Sequence, residues 1–138
     1  MAVKFVKYLM LPVLGLLFLP GSAAQRPKPS LPVVCRVEVD CRQGAVHQYR
    51  RYTSGEKMGW VLNFMRMQKN LGKPEEDPET VPGDSYTVYV HLTDGRQRVY
   101  CQQADRYLQP EGEDWQKIDP KWGGCLYYLL QTLPSDPA

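Results

Sequence analysis

Ser85–Gln102 reads SYTVYVHLTDGRQRVYCQ, and its pattern decides the fold. Tyr86, Val88, Val90 and Leu92 fall on one side of an extended chain, with Thr87, Tyr89 and His91 on the other. Period-two alternation of β-branched and aromatic residues marks a strand with one buried face. Asp94-Gly95 is a strong hairpin-turn signal, because both residues tolerate the positive φ that tight turns require. Arg96–Gln102 then returns as the partner strand, with Val99 and Cys101 assigned to the core face.

The same alternation appears upstream. Cys35, Val37, Val39 and Cys41 share a face, and Arg36, Glu38 and Asp40 share the other. Gln43-Gly44 marks a turn, and residues 45–52 return as a second strand. A simple two-residue turn there would put Gln48 and Arg50 on the core side, which predicts a bulge or an edge position. Between the hairpins lies an amphipathic helix. Thr53 is its expected N-cap, with Glu56 completing a capping box. Met58, Val61, Leu62 and Met65 form its stripe, widened by Trp60, Phe64, Met67 and Leu71. The helix is expected to run to about residue 70, with Gly72 as C-cap and Pro74 beyond it. Residues 73–84, KPEEDPETVPGD, are a proline-rich acidic loop. After the second hairpin, Tyr107 and Leu108 extend its return strand and residues 115–118 form a short extra strand. Asp119 then caps a final helix with Pro120 at its first position. Trp122, Cys125, Leu126, Leu129, Leu130 and Leu133 are assigned to its buried side. Gly123 and Gly124 either weaken its start or allow close packing.

These elements define an α+β fold: one antiparallel sheet of four or five strands, with two helices packed on one face. The two halves also read alike. Superposing Gly44 on Gly95 superposes Val37 on Val88, Val39 on Val90, Cys41 on Leu92 and Tyr49 on Tyr100. That suggests a ββα unit used twice, although alternation alone aligns the valines. Residues 33–133 form a single domain: a first unit at 33–72, the acidic loop at 73–84 and a second unit at 85–133. Residues 25–32 are a proline-rich lead-in, and 134–138 an unstructured tail.

Residues 1–24 set the expected context. Lys4 and Lys7 precede an apolar run from Tyr8 to Pro20, followed by small residues Ser22, Ala23 and Ala24. This order is that of a secretory signal peptide cleaved near Ala24. The run falls short of the roughly 20 residues a membrane span requires, so no permanent membrane anchor is expected. Of 17 basic residues, two leave with this segment, matching the 15 acidic ones that remain. Near-neutral charge gives no basis for nucleic-acid binding. All four cysteines, Cys35, Cys41, Cys101 and Cys125, lie in the domain, and an exported chain predicts disulfides among them. A straight strand keeps Cys35 and Cys41 about 20 Å apart, too far for a bridge. Cys101 on the core face of the second hairpin and Cys125 on the core side of the final helix make Cys101–Cys125 the favoured pair, leaving either a single bridge or two that cross between the halves. No Cys-x2-Cys knuckle suggests a zinc site, and no cofactor is indicated.

The candidate binding residues lie on the sheet face away from the helices. They are Arg36, His47, Tyr49 and Arg51 from the first hairpin, and Tyr89, His91, Arg98 and Tyr100 from the second. Tyrosine and arginine dominate protein-binding hot spots because they combine contact area with hydrogen bonding. There is no nucleophile elbow and no phosphate loop. The expected function is that of a secreted, non-enzymatic module recognising a protein or cell-surface component through this face. A small hydrolase using a His/carboxylate pair and a structural envelope-associated protein are the alternatives.

Overall fold

The computed structural model describes residues 33–137. The signal peptide and lead-in assignments fall outside these residues. The described chain is α+β. Six strands form one antiparallel sheet: β1 (Val34–Gln43), β2 (Val46–Tyr52), β3 (Ser85–Leu92), β4 (Gln97–Gln103), β5 (Tyr107–Gln109) and β6 (Gln116–Lys117). Their spatial order is β2-β1-β3-β4-β5-β6. Helix α1 (Gly55–Met67) follows the first hairpin, and a short α2 (Pro120–Gly123) leads into α3 (Cys125–Thr132). The strand count exceeds the expected four or five because Tyr107–Gln109 is a separate strand. Ala104, at φ 53°, reverses the chain between β4 and β5.

The core forms where the apolar faces of β1 and β3 meet the helices. Val37, Val39 and Cys41 lie beside Val90, Val88 and Tyr86 in the β1–β3 ladder. All six are buried, together with Tyr52, Val61, Leu62, Met65, Leu126 and Leu130. Each such aliphatic side chain contributes about 1.5–3 kcal/mol on full burial. Gln102, also buried, donates from Nε2 to the Gly123 and Ala104 carbonyls at 3.0 Å each. It thereby ties β4 to α2 without leaving its own amide nitrogen unpaired. Gly123 is the close-packing glycine: a Cβ there would lie 2.3 Å from the Asp105 carbonyl oxygen.

The turns explain which faces were misassigned. The first hairpin is closed by Gly44-Ala45, since Gln43 pairs with Val46. Gly44 alone has positive φ, at 60°, as a two-residue turn with glycine first requires. Gln48 and Arg50 do face the helix side, and β2 lies at the sheet edge, where their half-buried polar ends bond to each other and to Gln43, Tyr49 and Gln131. The second hairpin has a three-residue loop, Thr93–Gly95, because Leu92 N–H donates to the Arg96 carbonyl. The core assignment of Val99 and Cys101 needs a two-residue loop. One extra residue shifts the register by one and exchanges the faces. Cys101 therefore pairs with Thr87 on the open face, while Arg98 and Tyr100 pair with Val90 and Val88 on the helix face. The two hairpins thus differ in turn length, and the second half inserts β5 and β6 before its helix.

Disulfides are likewise corrected: all four cysteines are free. Cys101 and Cys125 lie on opposite sides of the sheet. Cys35 is displaced by a bulge between Val34 and Arg36 and is exposed. Cys41 is buried, and desolvation, reinforced by Asp84 and Asp40, pushes its thiol up to about 11. Helix boundaries also move. Ser54, not Thr53, caps α1, accepting from Lys57 N–H at 3.4 Å. The helix stops at Met67, and Leu71 and Gly72 instead exchange backbone hydrogen bonds with Lys117 of β6 at 2.9 and 2.8 Å. Within the acidic loop, Pro78–Thr80 forms a single 3-10 turn capped by Asp77. The Asp119 cap and Pro120 at the start of α2 are as expected.

Replacing Leu126 with Ala should cost about 2–5 kcal/mol by the loss of buried volume. Gly123→Ala should cost about 1–3 kcal/mol by overpacking against Asp105. Urea denaturation of each variant measures both. In alkylation of the native protein, Cys35 and Cys125 should react first, Cys101 slowly and Cys41 only on unfolding. Equal reactivity of Cys41 and Cys125 would contradict the packing described.

Candidate functional site

Alternation along β1 aims Arg36, Glu38, Asp40 and Arg42 at the open face, since Val37, Val39 and Cys41 must enter the core. The ladders set their neighbours: Glu38 lies between Arg51 and Tyr89, and Asp40 between Tyr49 and Thr87. Glu38 is the hub of this face. Tyr49 Oη donates to its Oε2 at 2.7 Å, His91 Nε2 meets its Oε1 at 2.8 Å, and Arg36 Nε lies 3.2 Å away. Desolvation raises the Glu38 carboxyl, but the hydrogen bonds from Tyr49 and His91 and the charge of Arg36 outweigh it and hold it below the ordinary value. The same bond raises the Tyr49 phenol. A second pair, His47 and Asp40, stands beside the hub.

Of the eight candidate residues, the structure brings six to one face: Arg36, His47, Tyr49, Arg51, Tyr89 and His91. Arg98 and Tyr100 lie behind it. Both histidines contact carboxylates, as proton-transfer chemistry requires. However, among the described residues no Ser, Thr or Cys hydroxyl or thiol hydrogen-bonds to either imidazole. Cys101, on the same face, is raised by burial and so favours its thiol form. Nor do three His, Cys, Asp or Glu side chains converge among the described residues to hold a metal.

The β2 margin of this face is distinctive. Because Val46 pairs across the turn, Val46, Gln48, Arg50 and Tyr52 bond toward β1, and the backbone groups of His47, Tyr49 and Arg51 point outward. Among the described residues, the C-terminal segment covers Arg51, and the Tyr49 carbonyl accepts from the Arg50 guanidinium. Arg51 N–H donates to Ser135 Oγ at 2.8 Å, and Asp136 N–H donates to the Arg51 carbonyl at 2.8 Å. The expected unstructured tail is in fact stitched down. Asp136 Oδ2 accepts from Thr53 and Ser54 N–H at 2.8 Å each, and Oδ1 meets Lys57 Nζ at 2.9 Å. These bonds hold the Asp136 carboxyl far below its usual range. Tyr52 Oη adds a bond to the Leu133 carbonyl at 2.7 Å.

A second surface, on the helix side, escaped the sequence reading. Trp60, Met67, Trp122 and Tyr128 are 55%, 67%, 56% and 69% exposed. With Phe64 and Leu129 they line a groove of about 470 Å³ between α1 and the C-terminal helices. The signal was the excess width of the α1 stripe: Trp60 and Met67 lie too far round the helix to join Val61 and Met65 in the core. No helix among the described residues is long and apolar enough to cross a membrane. No family model, curated protein or solved structure matches this chain.

Asp136→Asn should lower the melting temperature at pH 7 by several degrees. Because the folded-state carboxyl is depressed, its stabilisation is fully present above about pH 4, the ordinary carboxylate value, and fades as pH falls through the folded value. The gap between wild type and variant should therefore narrow below about pH 4. A gap independent of pH down to 2 would contradict an ionised cap.

Proposed function

We propose that this chain is a secreted, non-enzymatic binding module that recognises a protein or cell-surface component through its open sheet face, at the β2 margin. Export is supported by the charged, apolar and small-residue order of residues 1–24. The carrying observation is that, among the described residues, no strand covers the β2 backbone edge at His47 and Tyr49, while His47, Tyr49 and Arg51 share its outer face, Tyr49 being 50% exposed. Edges of this kind are sites of strand pairing unless covered. The opposite margin is covered, because Leu71 and Gly72 cap β6. The imidazole–carboxylate pairs serve in this reading as the rigid frame that holds Tyr49 and Arg36, not as reacting groups.

A second reading is favoured by the aromatic groove. Four large apolar side chains, each more than half exposed, line one groove, and contiguous exposed apolar surface of this kind is a candidate interaction site. In that reading the partner contributes an apolar segment to the helix side.

Two double variants separate the readings. Affinity capture with the exported protein identifies the partner. Tyr49→Ser with Arg51→Ser should then weaken its binding about tenfold or more, as for hot-spot truncation. Trp60→Ser with Trp122→Ser should leave it unchanged. Circular dichroism melts confirm that both variants fold. The reverse pattern would move the site to the groove.

A further inference from the structure

We propose that the outer edge of β2 accepts an extended acidic peptide segment as an added strand, paired at His47 and Tyr49. This rests on the binding-module reading and names the chemistry of the partner. Three observations carry it. The first is the open edge itself: among the described residues, the outward backbone groups of His47 and Tyr49 have no strand partner, and β2 ends the sheet. The second is that the chain already fills the next position along this edge with its own C-terminal segment. Ser135 and Asp136 bond to both backbone groups of Arg51, and Arg51 NH1 reaches the Pro137 carbonyl at 3.3 Å.

The third is charge. Glu38 and Asp40, the acidic residues of the neighbouring strand, are engaged by Tyr49, His91, Arg36 and His47. Among the described residues, Arg42, Arg50 and Arg51 have no carboxylate within ion-pair distance. Arg50 is folded back instead. Its NH1 donates to the outward Tyr49 carbonyl at 3.2 Å, its NH2 to Gln48 Oε1 at 3.3 Å, and its buried Nε has no partner. A peptide N–H arriving at the Tyr49 carbonyl would replace the first of these bonds and release the guanidinium toward an incoming carboxylate. An added strand alternates its side chains between two faces. One set would lie beside His47, Tyr49 and Arg51, the other beside Gln48 and Arg50, so acidic residues on either set meet a cation. A second copy of β2 fits less well, because Val46–Tyr52 carries no carboxylate to meet Arg42 and Arg50.

The probes are two acetylated, amidated peptides, Glu-Val-Glu-Val-Glu and Lys-Val-Lys-Val-Lys, added to the full chain. Hydrogen exchange of the His47 and Tyr49 amides, resolved by NMR, is the readout. The acidic peptide should slow exchange of both amides at least fivefold, and the basic peptide should not. Arg42→Gln with Arg50→Gln, checked for folding by the unchanged spectrum of β3, should cut that protection to less than about twofold. Equal protection by both peptides, or an unaffected double variant, would overturn the acidic preference while leaving the edge as a binding margin. Absence of protection by either peptide would overturn strand addition, with side-chain recognition by Tyr49 and Arg51 still measurable in the partner assay. Protection that grows with protein concentration alone would assign the edge to a second copy and overturn the proposal.

Discussion

The pairing of β1 with β3 is the constraint on which the rest of the structure depends. Val37, Val39 and Cys41 lie against Val90, Val88 and Tyr86 at the centre of the sheet, and none of them reaches solvent to any extent. The two strands are separated by a hairpin return, a helix and a proline-rich loop, so closing this ladder carries a chain-entropy cost that only burial can offset. Once closed, it leaves each strand a single orientation. Val61, Met65, Leu126 and Leu130 then have one apolar surface to cover, and Glu38, Asp40 and His91 have no route except outward. The polar face is therefore a consequence of the core.

That face meets its electrostatic needs mostly within itself. Glu38 gathers a phenol, an imidazole and a guanidinium, which compensates for its partial desolvation and keeps it ionised. Rigid, mutually bonded side chains lose little further freedom when a partner arrives, and such preorganisation favours binding. The margins of the sheet are treated differently. β6 is covered by residues just beyond α1, whereas among the described residues β2 is covered only where Asp136 crosses it to cap that same helix. The C-terminal segment therefore joins three elements at once: the edge strand, the helix N-terminus and, through Leu133, the buried Tyr52.

The strands were legible because alternation is a local signal that survives without tertiary information. Edge placement of β2 was legible for a related reason: Gln48 and Arg50 on a core-facing row are tolerable only at a margin, where their polar ends can find partners. The face of β4 was not legible. Asp94-Gly95 fits a two-residue or a three-residue loop, and the choice between them moved Arg98 and Tyr100 from the candidate site to the helix side and took Cys101 out of reach of Cys125. The end of α1 was hidden because its last expected turn is given up to cap β6. Of the eight candidate residues, the shared face of Arg36, His47, Tyr49, Arg51, Tyr89 and His91 was legible from side-chain parity alone. The aromatic groove was missed because Trp60 and Trp122 read as core when hydrophobicity is considered without angular position.

By itself, the sequence determined the elements of the domain: two alternating hairpins, two amphipathic helices, the Asp119 cap with Pro120 at the first helical position, and the outward set on β1 and β2. Those follow from periodicity and from backbone preferences that act over a few residues. The tertiary structure alone decided the register of β4, the freedom of all four cysteines, the Glu38 hub and the docking of Asp136 onto Thr53, Ser54 and Lys57. Each of these joins residues far apart in the chain, or turns on one residue of loop length, and no local pattern encodes a contact whose partner lies eighty residues away.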